Sequence, residues 1–231
     1  MFKFFYFCSL YCGWKSAREK TRKETNMKIL IVNGSPHAEG NTDIALREVQ
    51  RTLESDGIET EYVHVGHLDV RGCVACGKCK QNGCCVFDDI VNEVAKKFEK
   101  ANGIVVGSPV YYASPSGTMI SFLDRLFSST CFDKTMKVGA SVAVCRRGGA
   151  SATFDVLNKY FTISGMPVVS SQYWNSVHGG AVGQAVGDEE GLQTMRTLGH
   201  NMSFLCKGIF LAKQHYGLPE KEAPIKTSFI R

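Results

Sequence analysis

Two stretches of the chain concentrate residues that hold anions or metals. The first is Asn33-Gly-Ser-Pro-His-Ala-Glu-Gly-Asn-Thr42. Its hydroxyls at Ser35 and Thr42, the Asn41 amide and His37 suit a phosphate, helped by free backbone N–H groups at the start of a helix whose dipole favours negative charge. Gly34 and Gly40 let the backbone turn tightly and come close to a ligand. The string is neither the G-x-G-x-x-G of dinucleotide folds nor the G-x-x-x-x-G-K-[ST] of nucleotide hydrolases. A plain strand-to-helix turn with an Asn/Thr cap would explain Gly34 and Asn41 but not the whole run.

The second stretch is Arg71-Gly-Cys-Val-Ala-Cys-Gly-Lys-Cys-Lys-Gln-Asn-Gly-Cys-Cys-Val-Phe-Asp-Asp89. Cys73, Cys76 and Cys79 follow C-x2-C-x2-C, and Cys85 comes after five intervening residues with Cys84 as a competitor one place earlier. Thiols so spaced wrap one tight loop around a common centre, and several thiolates this close repel unless a metal compensates them. A cubane cluster needs four thiolates, and glycines at 72, 77 and 83 permit the close amide approach that its sulfurs use. Three alternatives stay open. Structural zinc prefers two C-x2-C pairs with a longer spacer, a redox C-x-x-C pair belongs at a strand-to-helix junction, and the loop could simply hold reduced thiols.

These residues need a frame to position them. Val/Ile-rich runs at 28–33, 60–65, 103–107, 138–145 and 167–171 read as strands. They alternate with helical patterns at 42–55, 88–101, 116–128, 150–162 and 188–215. Asp88 and Asp188 stand where N-caps belong. The alternation predicts an α/β, doubly wound, five-stranded parallel sheet of order 2-1-3-4-5 with helices on both faces. Ligands then bind outside the carboxyl ends of the strands, which are left by the loops 33–42, 108–116 and 145–151.

Composition narrows the function classes. Of 231 residues, 44% are hydrophobic and 21% charged, which is ordinary globular usage. The net charge of +5 lies mostly in residues 1–26, which carry six Lys/Arg against two Asp/Glu and leave 27–231 at +1. That excludes a basic nucleic-acid stripe. No apolar run approaches the ~18 to 20 residues of a membrane span. Residues 1–26 are expected to be a disordered extension or a mis-set start, with 27–231 forming one domain that carries its Cys-rich loop at 71–86. Five of the ten cysteines crowd into 73–85, whereas Cys131, Cys145 and Cys206 read as small buried hydrophobes. This usage fits a cytoplasmic protein.

Gly34-Ser-Pro-His37 and Gly40-Asn-Thr42 resemble the phosphate loop of the NADPH-dependent FMN reductase branch of the flavodoxin-like superfamily. The resemblance extends through Ser108-Pro-Val-Tyr-Tyr-Ala-Ser-Pro-Ser-Gly117, Phe122-Leu-Asp-Arg125 and Arg146-Arg-Gly-Gly149. It implies FMN phosphate on Ser35, His37, Asn41 and Thr42. It implies the isoalloxazine against Pro109, Val110, Tyr111, Tyr112 and Ser114, with Arg146, Arg147, Gly148 and Gly149 approaching the ring from the third loop. The cysteine run beside such a fold resembles the iron-sulfur flavoproteins, which implies a [4Fe-4S] cluster on Cys73, Cys76, Cys79 and Cys85.

Two functions follow as expectations. One is an FMN-dependent NAD(P)H oxidoreductase reducing flavin, quinone or nitro/azo acceptors, with NAD(P)H as transient co-substrate and FMN carrying the chemistry. The other is an electron carrier passing electrons between a [4Fe-4S] cluster, FMN and a ferredoxin-like partner. A homodimer or homotetramer is expected, and Tyr173-Trp-Asn-Ser-Val-His178 reads either as a cover over the flavin of the same or a neighbouring chain or as a packed aromatic anchor for its own loop. His64 and His67 read as surface or capping residues.

Overall fold

The structure, a computed structural model, describes residues 27–229; the expectation for residues 1–26 falls outside the described residues. Strand β1 (Lys28–Asn33) is buried along almost its whole length, as a central parallel strand covered on both faces must be. Its side chains alternate between two cores. Ile29 and Ile31 join Leu46, Val49 and Leu53 of α1 (Asn41–Ser55) and Met195, Leu198 and Met202 of the long helix α6 (Glu189–Tyr216). Leu30 and Val32 face Val91, Val94 and Phe98 of α3 (Ile90–Lys100), Phe122 and Leu126 of α4 (Gly117–Ser129), and Leu157 and Phe161 of α5 (Ala150–Thr162). Helices therefore cover both faces, which is the flavodoxin-like arrangement.

The sheet departs from the predicted five-strand order. Among the described residues it has six strands, along the path β2-β1-β3-β5-β6 with β4 paired to β3 off that path. β2 (Glu59–His64), β3 (Gly103–Tyr111), β5 (Val138–Cys145) and β6 (Ser176–His178) run parallel to their neighbours. The added strand β4 (Ser114–Pro115) returns antiparallel on β3, pairing Val110 with Pro115 and Tyr111 with Ser114. The predicted strand at 167–171 is only a single bridge, Gly139 to Val168. The Gly139 N–H donates to the Pro167 carbonyl and the Val169 N–H to the Gly139 carbonyl, but the Val169 carbonyl then accepts from the Asn175 side chain at 3.4 Å instead of from β5, so the ladder stops there. The chain rejoins the sheet at β6, inside a segment whose Gly-rich composition reads as loop.

Two local expectations also change. Asp89, not Asp88, caps α3, its carboxylate accepting from the Val91 N–H at 3.1 Å. The cysteine loop contains one helical turn, α2 (Cys79–Asn82), closed by Gly83 at φ 69°. Asp188 caps α6 as predicted, accepting from the Gly191 N–H at 2.9 Å.

Candidate functional site

The loop after β1 is gripped from three sides. Gly34 N–H donates to the Gly107 carbonyl at 2.8 Å, and the Ser116 hydroxyl donates to the Gly34 carbonyl at 2.8 Å. A Cβ on Gly34 would lie 2.5 Å from Met119 Cε, so only glycine fits between α4 and the loop. The Ser35 N–H donates to Asn33 Oδ1 at 2.8 Å, and the His37 N–H donates to Ser35 Oγ at 3.2 Å. Asn33 is itself held by an Nδ2–H bond to the Tyr62 hydroxyl, which donates in turn to Asp43. Burial and that carboxylate push the Tyr62 phenol well above its ordinary range.

The expected phosphate residues share this loop but differ in role. Ser35 and Thr42 are buried and His37 is exposed. Gly40 is the N-cap residue of α1 and no side chain caps the helix start, so its first-turn N–H donors are left for an anion. The Asn41 side chain is already engaged. Its Nδ2 donates to the Ala181 carbonyl at 2.8 Å and its Oδ1 accepts from the Ala185 N–H at 3.1 Å. Asn41 thus latches the segment 179–185 beside the loop, and a Cβ on Gly179 would come 2.8 Å from its Nδ2. His64 has a role that the sequence did not signal: its Nε2 lies 2.6 Å from the Ser35 carbonyl, bracing the loop from β2.

The second loop is a hairpin. Its two-residue turn, Tyr112–Ala113, has φ of 51° and 58°, the positive pair that a type I′ connection needs and that non-glycine residues adopt at a cost. Pro109, Val110 and Ser114 are half-buried, while Tyr111 and Tyr112 are exposed, Tyr112 completely. The third loop packs against it. Gly149, at φ 88°, leaves no room for a Cβ, which would lie 2.8 Å from Ala113 Cα. Arg146, Arg147 and Gly148 are exposed beside it. His178 is tethered to Asp188 through its backbone N–H at 2.6 Å, and the Tyr173 and Trp174 rings pair at 5.1 Å. The uncapped helix start and the glycine-lined approach of these loops fit a flavin phosphate.

Cys73, Cys76, Cys79 and Cys85 line one cavity, together with Phe87 of the same loop and Arg125, Ser128 and Ser129 of α4. Cys84 is exposed and does not line it. The Cys79 thiol donates to the Ser128 carbonyl at 3.5 Å, and the buried Ser129 hydroxyl has no hydrogen-bond partner. As placed, the sulfurs line a shared wall rather than converge. Among the described residues no three Cys, His, Asp or Glu side chains stand ready to hold one metal ion. The donor set nonetheless fits a soft metal group: four thiols on one wall, next to a buried cation. Cys145 and Cys206 are buried as predicted, and burial pushes the Cys206 thiol up to about 12. Cys131 corrects the sequence reading, since it is exposed with its Sγ 3.9 Å from the Cys79 carbonyl oxygen.

The cation is Arg125, only 1% exposed. Its Nη1 and Nη2 grip Asp89 at 2.6 and 2.8 Å, and its Nε donates to Cys85 Sγ at 3.3 Å. Burial alone would lower the guanidinium, but Asp89 and Cys85 raise it on balance. The sequence carried a signal for it: of the two charges in α4, Asp124 and Arg125, Arg125 falls three residues after Phe122 on the apolar face with Met119 and Leu126, where a charge must be paired. Helix α4 joins the two regions. Ser116 caps its start under the phosphate loop, and Ser128 and Ser129 end it at the cysteines; its 13 residues span about 20 Å.

Fold and site together define a flavodoxin-like, flavin-dependent oxidoreductase that binds FMN. Solved structures with this fold include a flavodoxin from the domain Archaea (TM-score 0.54, 18% identity, 78% of this chain and 99% of that one). Another is a flavodoxin, WrbA-like protein from Agrobacterium tumefaciens (TM-score 0.56, 17% identity, 80% and 99%). The family model for NADPH-dependent FMN reductase matches residues 27–181, and the chain belongs to that family. Its curated relatives include an iron-sulfur flavoprotein of Methanocaldococcus jannaschii, 36% identical over 189 residues, covering 78% of this chain and 98% of the relative. The iron-sulfur flavoprotein of Methanosarcina thermophila is 31% identical over 193 residues, with 82% and 98% covered. Among the described residues no helix is long and apolar enough to cross a membrane.

Proposed function

We propose that the protein exchanges electrons between a [4Fe-4S] cluster, bound by Cys73, Cys76, Cys79 and Cys85, and FMN, bound over the loops 33–42, 108–116 and 145–151, with a ferredoxin-like protein as partner. The observation that carries this reading is the single cavity lined by those four thiols and a buried arginine, with the adjacent Cys84 left outside it. The relatives named iron-sulfur flavoproteins support it. When bound, the flavin supplies one- and two-electron chemistry and the cluster supplies one-electron transfer.

The chain's own residues do the positioning. The uncapped start of α1 and the Ser35 hydroxyl hold the phosphate. Asn41 and Gly179 keep the segment 179–185 close by. With FMN bound, Arg146 and the backbone of 147–149 would supply positive charge and N–H donors to stabilise the reduced, more negative flavin.

A second reading, an NAD(P)H oxidoreductase for flavin, quinone or nitro/azo acceptors, is favoured by the exposure of Tyr111 and Tyr112. That hairpin leaves an open face on which a planar small molecule can stack. The visible spectrum and iron content of anaerobically purified full-length protein separate the two. About four irons per chain, the count that four-thiolate [4Fe-4S] ligation implies, with slow bleaching by NADPH, support the carrier. Flavin bands without iron, bleached quickly by NADPH, sink it and support the reductase.

A further inference from the structure

We propose that Arg125 is a positioning residue for the metal-binding thiols, selecting Cys85 over its neighbour Cys84 as the fourth ligand and closing the loop 71–87 onto α4. This rests on the cluster reading above. A guanidinium at 1% exposure costs several kcal/mol to desolvate unless every donor is used. The five N–H donors of arginine form a rigid fork, and here each arm has work. Nη1 reaches Asp89 Oδ2 at 2.6 Å and the Arg71 carbonyl at 3.4 Å. Nη2 reaches Asp89 Oδ1 at 2.8 Å and the Phe87 carbonyl at 3.4 Å. Arg71 and Phe87 are the two ends of the cysteine loop, so one side chain fastens both.

With Asp89 occupying the two outer nitrogens, the remaining donor, Nε–H, points at Cys85 Sγ at 3.3 Å. An arginine present only to pair with Asp89 would need no sulfur contact. The Cys85 backbone is fixed as well: its N–H donates to Asn92 Oδ1, and Asn92 Nδ2 donates back to its carbonyl, both at 3.0 Å. Cys84 is exposed and has neither clamp. Asp89 is itself immobilised as the N-cap of α3, and Arg125, Ser128 and Ser129 share one helical face at i, i+3 and i+4. A positive donor on a ligand sulfur stabilises the reduced cluster, which carries more negative charge, and so raises its potential.

The test is anaerobic reconstitution of the full chain and its C84S, C85S, R125Q, R125K and D89N variants with iron and sulfide. Iron and flavin per chain, the rate of iron loss to a chelator and the midpoint potential are read. The expected result is that C84S keeps its iron and C85S loses it. R125Q loses iron to the chelator at least about tenfold faster, and its remaining iron titrates at a lower potential by about 60 mV, the one-electron equivalent of a tenfold change. R125K restores part of the potential but not the retention, because it keeps the charge without the fork. Undiminished flavin content certifies folding in each variant. If R125Q does not fold, D89N gives the reading, since asparagine keeps the cap on Val91 but loosens the clamp; faster iron loss is again expected. Wild-type iron retention and potential in the folded Arg125 or Asp89 variant, or iron kept by C85S and lost by C84S, overturn the inference and leave the cluster standing. A wild-type chain that takes up flavin but no iron overturns the cluster reading and this inference with it.

Discussion

The Ser116 hydroxyl stands 2.8 Å from the Gly34 carbonyl oxygen while its Oγ also accepts from the Met119 N–H at 3.3 Å. One buried side chain therefore caps α4 and ties it to the phosphate loop, 82 residues earlier in the chain. Helix start and cofactor loop are mechanically one unit.

Ser116→Ala removes both bonds and leaves the Gly34 carbonyl without its donor. The expected loss is about 1–3 kcal/mol, measured by urea unfolding of the flavin-free protein. FMN affinity, measured by fluorescence quenching, is expected to fall as well because the loop loses a brace.

Gly66→Ala addresses the loop from the other side. A Cβ there would sit 2.1 Å from the Ser35 carbonyl oxygen, which is backbone and cannot swing away. FMN binding is expected to drop by more than about tenfold, a cost of about 1.4 kcal/mol or more. Gly208→Ala, on α6 away from these loops and with nothing within 4 Å of the added Cβ, is expected to bind like wild type. Equal affinities for the two variants would refute the close-approach argument.

Asn41→Ala tests whether this side chain latches a segment. Release of the Ala181 and Ala185 backbone groups is expected to raise hydrogen exchange across 179–186 in the flavin-free protein, with little change in β1 or β3. Unchanged exchange together with a large loss of FMN affinity would instead mean that the amide serves the phosphate directly.

Three of the groups raised by burial, Tyr62, Tyr160 and Cys206, give a test of alkaline stability. Burial first, then the carboxylates of Asp43 and Asp124, raise Tyr62 and Tyr160 above 10.0, and burial raises Cys206 from 9.0 to about 12. The folded state holds these protons more tightly than the unfolded chain. Stability is thus complete below about pH 9 and declines as pH rises toward about 12. Urea midpoints across that window are expected to fall, and the fall is expected to be shallower in Tyr62→Phe and Cys206→Ala. Comparing each variant with wild type isolates these groups from Lys134 and Lys137, which burial lowers and which act in the opposite sense.

Local patterning determined most of the frame. The runs of β1 and β5 and the helix 150–162 coincide with the structure because burial on both sheet faces demands unbroken apolar residues and an amphipathic helix demands a 3.6-residue period. The spacing Cys73, Cys76, Cys79 and the Gly34–Thr42 string were equally legible, since a tight loop writes its chemistry into adjacent residues. Long-range pairing decided the rest. Whether 167–171 or 176–178 forms the edge strand depends on which backbone groups meet β5, and the Asn175 side chain takes the Val169 carbonyl. That Cys85 and not Cys84 lines the cavity depends on Arg125, 40 residues away. That Asn41 serves Ala181 depends on a contact 140 residues long. Sequence spacing sets which groups are available; three-dimensional neighbours, through desolvation and the need to satisfy every buried donor, set which of them are used.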